Sequence, residues 1–263
     1  MEKNLDKVSS TLRNMTAILD CFSINRPELG VRETARQTGL SPSTIGRLMA
    51  AMKTLRILSQ NPQTKAYTMG IRVLEWGGVF SASLDLRLKA LPVMQELQRV
   101  SQESISLYIY DGADRVCVER LESNLTVRIV TRVGRRLPLY AGSAGKAILA
   151  FLPSERQDEI INQRPLEPLT PNTITDEKCL REELARVRRV GYAVSHGEWI
   201  LDASGVAAPI LGWNNEVLGA ITISGPSQRF SSEKVAQYAS LVLEGAQQIS
   251  IQMGHHPDLR SST

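Results

Sequence analysis

The chain has 263 residues, 42% of them hydrophobic and 22% charged, with a formal net charge of +4. Those proportions exclude a disordered or collagen-like chain, and the length suits two domains better than one. No apolar run reaches the roughly 18 residues of a membrane span, and the N-terminal MEKNLDKVSS lacks the apolar stretch of a secretory signal, so a cytoplasmic protein is expected. Cys21, Cys117 and Cys179 are far apart and form no C-x-x-C pair, and the histidines are His196, His255 and His256. Neither a disulfide framework nor a metal site is expected, and no cofactor.

The charge is uneven: residues 1–82 carry +5 and the remainder −1. A basic N-terminal module suits a polyanionic partner, with a solvated basic face as the plain alternative. In this module Leu12, Met15, Leu19 and Phe22 recur in steps of three and four, which predicts a helix from Val8, capped by Ser9 or Ser10 and stopped near Pro27 and Gly30. A short helix fits Val31 to Thr38, ended by Gly39. Ser41 as N-cap and Pro42 in the first turn restart a helix at once, with Ile45, Leu48, Met49 and Met52 at i, i+3, i+4 and i+7. Two helices joined so tightly form a helix-turn-helix.

The run ILSQNPQTKAYTMG then reads as strand, turn and strand, the hairpin of a wing. Residues from Ile71 to about Leu88 read as a linker helix, interrupted or closely packed at Gly77 and Gly78. The expected division is a winged module over 1–82, a second domain over 83–254 and a frayed tail over 255–263.

The second domain opens with a helix over about Arg87 to Gln102. Strands SISLYIY and RVCVERL follow, joined at Asp111-Gly112, and LTVRIVTRV reads as a third. Helical patterns cover Gly142 to Leu152, Ser154 to Asn162, and Asp176 to Val190. Strand patterns return in YAVSHGEWI, SGVAAPILGW and VLGAITISGP, the last two joined at Asn214-Asn215, before a helix from Ser231 to about Met253. Helices flanking a mostly antiparallel sheet make an α+β domain.

Three constellations bear on function. On the second helix of the helix-turn-helix, Ser43, Thr44, Gly46, Arg47 and Ala51 lie off the apolar stripe. Short hydroxyls and one arginine near its N-terminal end suit a DNA major groove, with Arg32, Arg36, Lys53 and Lys65 placed for phosphate contacts. The run YAGSAGKA resembles a phosphate loop only at first sight. The early glycine is replaced by Tyr140 and the hydroxyl after Lys146 by Ala147, so both chemical requirements of a Walker loop fail. Ser195, His196 and Glu198 contain hydrolase residue types, but adjacent strand side chains point to opposite faces and no G-x-S-x-G elbow is present. No catalytic residue is assigned.

GVRETARQTGLSPSTIGRLMAAMKTLRIL with its Y-x-x-G wing exit resembles the DNA-binding module of the IclR family of bacterial transcriptional regulators. RVGRRLPLYAGSAGKAILAFL, RRVGYAVSHGEWILDASGVAAPI and GAITISGP resemble that family's effector domain in order and spacing. The resemblance runs from about Val8 to Met253. It implies a winged helix-turn-helix joined by a linker helix to a GAF-like α+β domain, acting as a homodimer or homotetramer on double-stranded operator DNA. It also implies a small organic effector, a carboxylate or an aromatic compound, and no membrane.

The DNA-contacting set expected from the helix faces and charge is Arg32, Ser41, Ser43, Thr44, Gly46, Arg47, Lys53 and Lys65. The effector set, carried over by position from the family, is Thr126, Ile129 and Leu137 as apolar wall, Gly142, Ser143 and Ala144 at the loop, and Ser195, Ala203, Gly205, Thr222 and Ser224 as polar floor. Ser195, Ala203 and Gly205 replace an acidic and larger residues of members that recognise small keto acids, implying more room and less negative charge. Free amides at a helix start favour an anion without magnesium. A small-metabolite enzyme with an accessory nucleic-acid module is the competing class, separable by turnover against ligand-dependent DNA binding.

Overall fold

The computed structural model describes residues 9–83, 85–129, 131–163 and 165–256. Val8 and the tail from 257 onward, which the sequence reading includes, lie outside the described residues. The chain divides into two units, Met1–Ser83 and Leu84–Thr263.

The first unit packs α1 (Ser10–Asp20), α2 (Val31–Thr38) and α3 (Pro42–Thr54) around Ile18, Ile45, Met49 and Met52. Ser9 occupies the cap position of α1, but its side chain makes no capping bond. Gly39 ends α2 in the left-handed region at φ 71°, and the Ser41 hydroxyl accepts from the Thr44 amide at 3.2 Å to start α3. Strands β1 (Leu58–Gln60) and β2 (Tyr67–Met69) form the wing, whose turn is held by the Asn61 carboxamide accepting from the Gln63 and Thr64 amides. Helix α4 (Ile71–Ser83) runs unbroken through Gly77 and Gly78, and a Cβ at either would meet nothing within 4 Å. The expected interruption or close packing there is absent within the chain. Both glycines face open space, and Trp76 and Val79 beside them are at least half exposed.

The second unit is a six-stranded antiparallel sheet in the order β5-β4-β3-β8-β7-β6 between two helical layers. Its strands are β3 (Ser104–Asp111), β4 (Asp114–Leu121), β5 (Arg136–Pro138), β6 (Ala193–His196), β7 (Ala203–Leu211) and β8 (Val217–Pro226). Gly112, at φ +64°, turns β3 into β4. One face of the sheet presents Ile105, Leu107, Ile221 and Ile223 to α5 (Asp85–Ser101) and α9 (Ser232–Gln252). The other presents Tyr108, Cys117, Ala207 and Ala220 to α6 (Ser143–Phe151), α7 (Ser154–Gln163) and α8 (Glu177–Val190). Asp176 caps α8 by accepting from the Cys179 amide at 2.8 Å.

The described residues of LTVRIVTRV form no strand; the chain rejoins the sheet at β5. Two observations explain the difference. The Ile129 carbonyl, which a neighbouring strand would have used, accepts from the Arg120 guanidinium, and Val127 and Val133 of the alternating pattern stay exposed instead of reaching a core.

Candidate functional site

The second unit encloses a small polar cavity on the α6 face of the sheet, and strand register explains its chemistry. Ser195, Gly205, Ser224 and Ser104 are aligned across β6, β7, β8 and β3, and Ala207, Thr222, Ser106 and Arg120 across the next row. These positions alternate with the isoleucines of the opposite face. The small polar residues therefore form one continuous floor, rather than the polar half of an exposed strand.

The cavity holds about 30 Å³ and is lined by Tyr108, Arg115, Ile129, Thr131, Ser143, Ala144, Ser195, Trp199, Ala203, Ser204, Gly205, Thr222 and Ser224. Eight of the residues carried over from the sequence thus meet in one place. Leu137 is buried on β5 and Gly142 immediately precedes α6, but neither lines the cavity, and Thr126 is exposed on the loop outside it. Ala203 and Gly205 both line the cavity, and the space at Gly205 is taken up by the chain itself. A Cβ at Gly205 would lie 2.8 Å from the Ser143 hydroxyl, so the glycine lets the first turn of α6 press against the sheet, and Tyr108 and Arg115 fill much of what remains.

The GSAGK run opens α6, and its lysine does not line the cavity. Lys146 is buried, its Nζ 2.5 Å from Glu198 Oε1, 3.1 Å from Glu183 Oε1 and 2.8 Å from the Val194 carbonyl. Glu198 Oε2 in turn accepts from the Gly142 amide at 2.7 Å. One carboxylate therefore both neutralises the lysine and fastens the loop of β6–β7 to the start of α6. The Gly142 amide is consequently not available to a ligand. The amides of Ser143, Ala144 and Gly145 belong to the first helical turn and have no acceptor within the helix.

Sequence reading missed Tyr108, Arg115, Thr131, Trp199 and Ser204. Arg115 is 2% exposed. Its Nη1 donates to the Pro138 carbonyl at 2.9 Å and to the Ala141 carbonyl, while its Nε has no partner. Burial draws its guanidinium below the usual arginine value, drives the Tyr108 phenol up and pushes the Cys117 thiol up to about 11. The Thr222 hydroxyl is also buried without a partner. A signal for Arg115 did exist: an arginine opening RVCVERL, the second residue of β4 and one pair in from the hairpin end. Its burial, however, depends on Gly142 and Gly145 far along the chain. His196 Nδ1 lies 2.9 Å from the Ser204 hydroxyl, which itself donates to Ser227 Oγ at 2.9 Å. Among the described residues no cluster of His, Cys, Asp or Glu could hold a metal, and no helix is long and apolar enough to cross a membrane.

In the first unit Arg32, Ser41, Ser43, Arg47, Lys53 and Lys65 are exposed, and Thr44 and Gly46 half-buried. Ser41 is committed first to capping, with the Ser43 and Thr44 hydroxyls 3.0 and 2.9 Å from its own. Lys53 donates to Gln60 at 3.0 Å. Arg32, Arg36, Arg47 and Lys65 form no ion pair among the described residues. Gly46 departs from expectation: a Cβ there would sit 3.7 Å from the Val31 side chain, so it faces α2 rather than outward.

A winged helix-turn-helix followed by a cavity-bearing α+β unit is an architecture of bacterial transcriptional regulators. A family model described as the bacterial transcriptional regulator IclR C-terminal domain matches residues 80–251, and one for the IclR helix-turn-helix domain matches residues 11–62. The chain belongs to the IclR family. It is 33% identical over 247 residues to the HTH-type transcriptional regulator KipR of Bacillus subtilis, covering 94% of this chain and 98% of that one. It is 31% identical over 256 residues to KdgR of Escherichia coli, covering 97% of each. Among solved structures, the Thermotoga maritima IclR aligns with a TM-score of 0.76 at 29% identity, covering 93% of this chain and 99% of that one. An IclR homologue from Microbacterium hydrocarbonoxydans, complexed with 4-hydroxybenzoate, aligns at 0.81 and 29%, with the same coverage.

Proposed function

We propose that this chain is a cytoplasmic regulator that binds operator DNA through its first unit and releases or tightens that grip when a small organic effector enters the cavity of the second. The observation that carries the reading is the cavity itself: a closed, polar space at the start of a helix, with a buried hydroxyl, Thr222 Oγ1, lacking a partner. Buried polar groups left unpaired are costly, and a ligand that pairs them supplies the free energy to shift a two-state equilibrium.

On the DNA side, α3 presents Ser43, Thr44 and Arg47 to the major groove, and Arg32, Lys53 and Lys65 reach phosphates. Two copies are required for a two-fold operator. The exposed Trp76 and Val79, at i and i+3 on α4, suit burial against a second copy, giving a homodimer or, by pairing of dimers, a homotetramer.

The effector is a small organic acid or an aromatic compound. The relative that holds 4-hydroxybenzoate supports both descriptions, whereas a volume of about 30 Å³ favours the smaller until the walls move. Ser143→Trp tests the reading, because its indole would fill the cavity at the helix start. Operator binding that no longer responds to any compound effective on the wild type is the expected result, and an undiminished response would sink the assignment. The His196–Ser204 contact is the one feature that favours an enzyme. Hydrolysis of an ester by wild type but not by Ser204→Ala would support that class instead.

A further inference from the structure

The buried cations of the second unit are not treated alike. Lys146 has Glu198 and Glu183, and Arg229, whose side chain is 31% exposed, grips the buried Glu103 through two hydrogen bonds. Arg115, as buried as Lys146, forms no ion pair among the described residues. The carboxylate whose charge acts on it, Glu198, has one oxygen on Lys146 and the other on the Gly142 amide. Its other neighbours are Tyr108, whose ring lies 5.4 Å from Cζ and whose side chain hydrogen-bonds the guanidinium, and Cys117. Neither supplies a negative charge at neutral pH, since burial raises both.

The guanidinium also sits where a cation is least welcome. A Cβ at Gly142 would lie 2.8 Å from Nη2, and one at Gly145 would lie 2.6 Å from Nη1, so Arg115 is packed directly against the first turn of α6. That turn is the positive end of the helix dipole. Two positive features converge on one cavity, and the guanidinium's two carbonyl bonds both come from Nη1, leaving Nε–H unpaired. Arginine stays protonated in such a place.

We propose that Arg115 is the charge-reading residue of the cavity. Its unpaired Nε–H and the first-turn amides of Ser143 and Ala144 hold a single ionised acidic group of the ligand, so that the site selects a monoanion over its neutral amide. This rests on the effector reading above and adds to it the residue that decides charge.

The cavity volume of about 30 Å³, close to that of one water molecule in the liquid, sets the probes: sodium formate and acetate against formamide and acetamide. They are titrated into the full chain at constant ionic strength, with thermal stabilisation and calorimetric heat as readouts. Saturable stabilisation by the acids and at least tenfold weaker binding of the amides is the expected wild-type result. Arg115→Gln should bring that acid-to-amide ratio close to one, and Arg115→Lys should restore part of it. A merely structural arginine would instead weaken acids and amides together and leave the ratio unchanged. Should Arg115→Gln fail to fold, the wild-type ratio and Arg115→Lys still decide. Equal binding of acid and amide by wild type, an acid preference that survives Arg115→Gln, or a wild type that no acid stabilises each overturns the proposal. A neutral compound that releases operator DNA and is blocked by Ser143→Trp would overturn Arg115's role while leaving the effector reading intact.

Discussion

Arg47 and Arg115 place the same side chain in two opposite environments in two parts of this molecule. Arg47 projects from α3 into solvent with no ion pair among the described residues. Its hydration makes that state inexpensive, and salt screens whatever it meets. Arg115 is sealed against the start of α6 with an unpartnered Nε. There the cost of desolvation is carried permanently and screening by salt is weak. The outward arginine is suited to a long polyanion sampled by sliding, the inward one to a single small anion held in place. On the reading proposed above, burial, more than residue type, would separate a surface that scans from a cavity that selects.

The sharpest way to break that contrast is to leave a charge buried and alone. Lys146→Met would strand Glu198, which is otherwise paired at 2.5 Å, and should destabilise the protein by about 3–5 kcal/mol, read from the midpoint of urea unfolding. A loss under about 1 kcal/mol would mean that water reaches the pair. On the outward side, Arg47→Ala should weaken operator binding by about 1–3 kcal/mol if it reads a base, while Lys65→Ala should weaken all sequences alike and lower the salt slope by about one. Unchanged affinity for Arg47→Ala would remove α3 from the groove.

Gly46→Ala offers a smaller test. The added methyl meets Val31 at an ordinary 3.7 Å, so replacing a mid-helix glycine should stabilise the first unit by about 0.5–1 kcal/mol. A loss of operator affinity from the same change would show that DNA approaches the α3 backbone there. The smallest expected effect is on acid stability. Burial pushes the Glu183 carboxyl up, but bonds from Arg186 and Lys146 outweigh it and hold the group below its ordinary value. Its contribution is therefore complete above the usual carboxylate range and is lost as pH falls through the lowered value. Glu183→Gln should flatten the acid limb of a stability–pH curve, and an unaltered limb would show the pairing to be weak.

The helix-turn-helix was legible in the sequence because its signals are local: Gly39, Ser41 and Pro42 act on their own neighbours, and the apolar stripe of α3 needs no distant partner to be read. The hairpin at Asp111-Gly112 was legible for the same reason. LTVRIVTRV misled because alternation records only what a segment could pair with, and Arg120 had already taken the Ile129 carbonyl. Gly46 was placed outward because a residue without a side chain leaves no mark in a hydrophobic pattern. The resemblance found eight cavity-lining residues by position, yet Arg115 escaped, since its burial is imposed by two glycines some 30 residues downstream in sequence. Thr222 and Ser224 gained meaning only once register aligned them with Ser106, Gly205 and Ser195.

Trp199 has a practical consequence. Its ring lines the cavity beneath the Arg135 guanidinium, 5.0 Å from the ring centroid, whereas the chain's other two tryptophans are 50% and 75% exposed at positions 76 and 213. Its emission should lie to the blue of theirs and depend on what occupies the space beside it. In a Trp76→Phe, Trp213→Phe background the protein would carry a single indole, and occupancy of the cavity could be followed optically, without label, operator or chromatography.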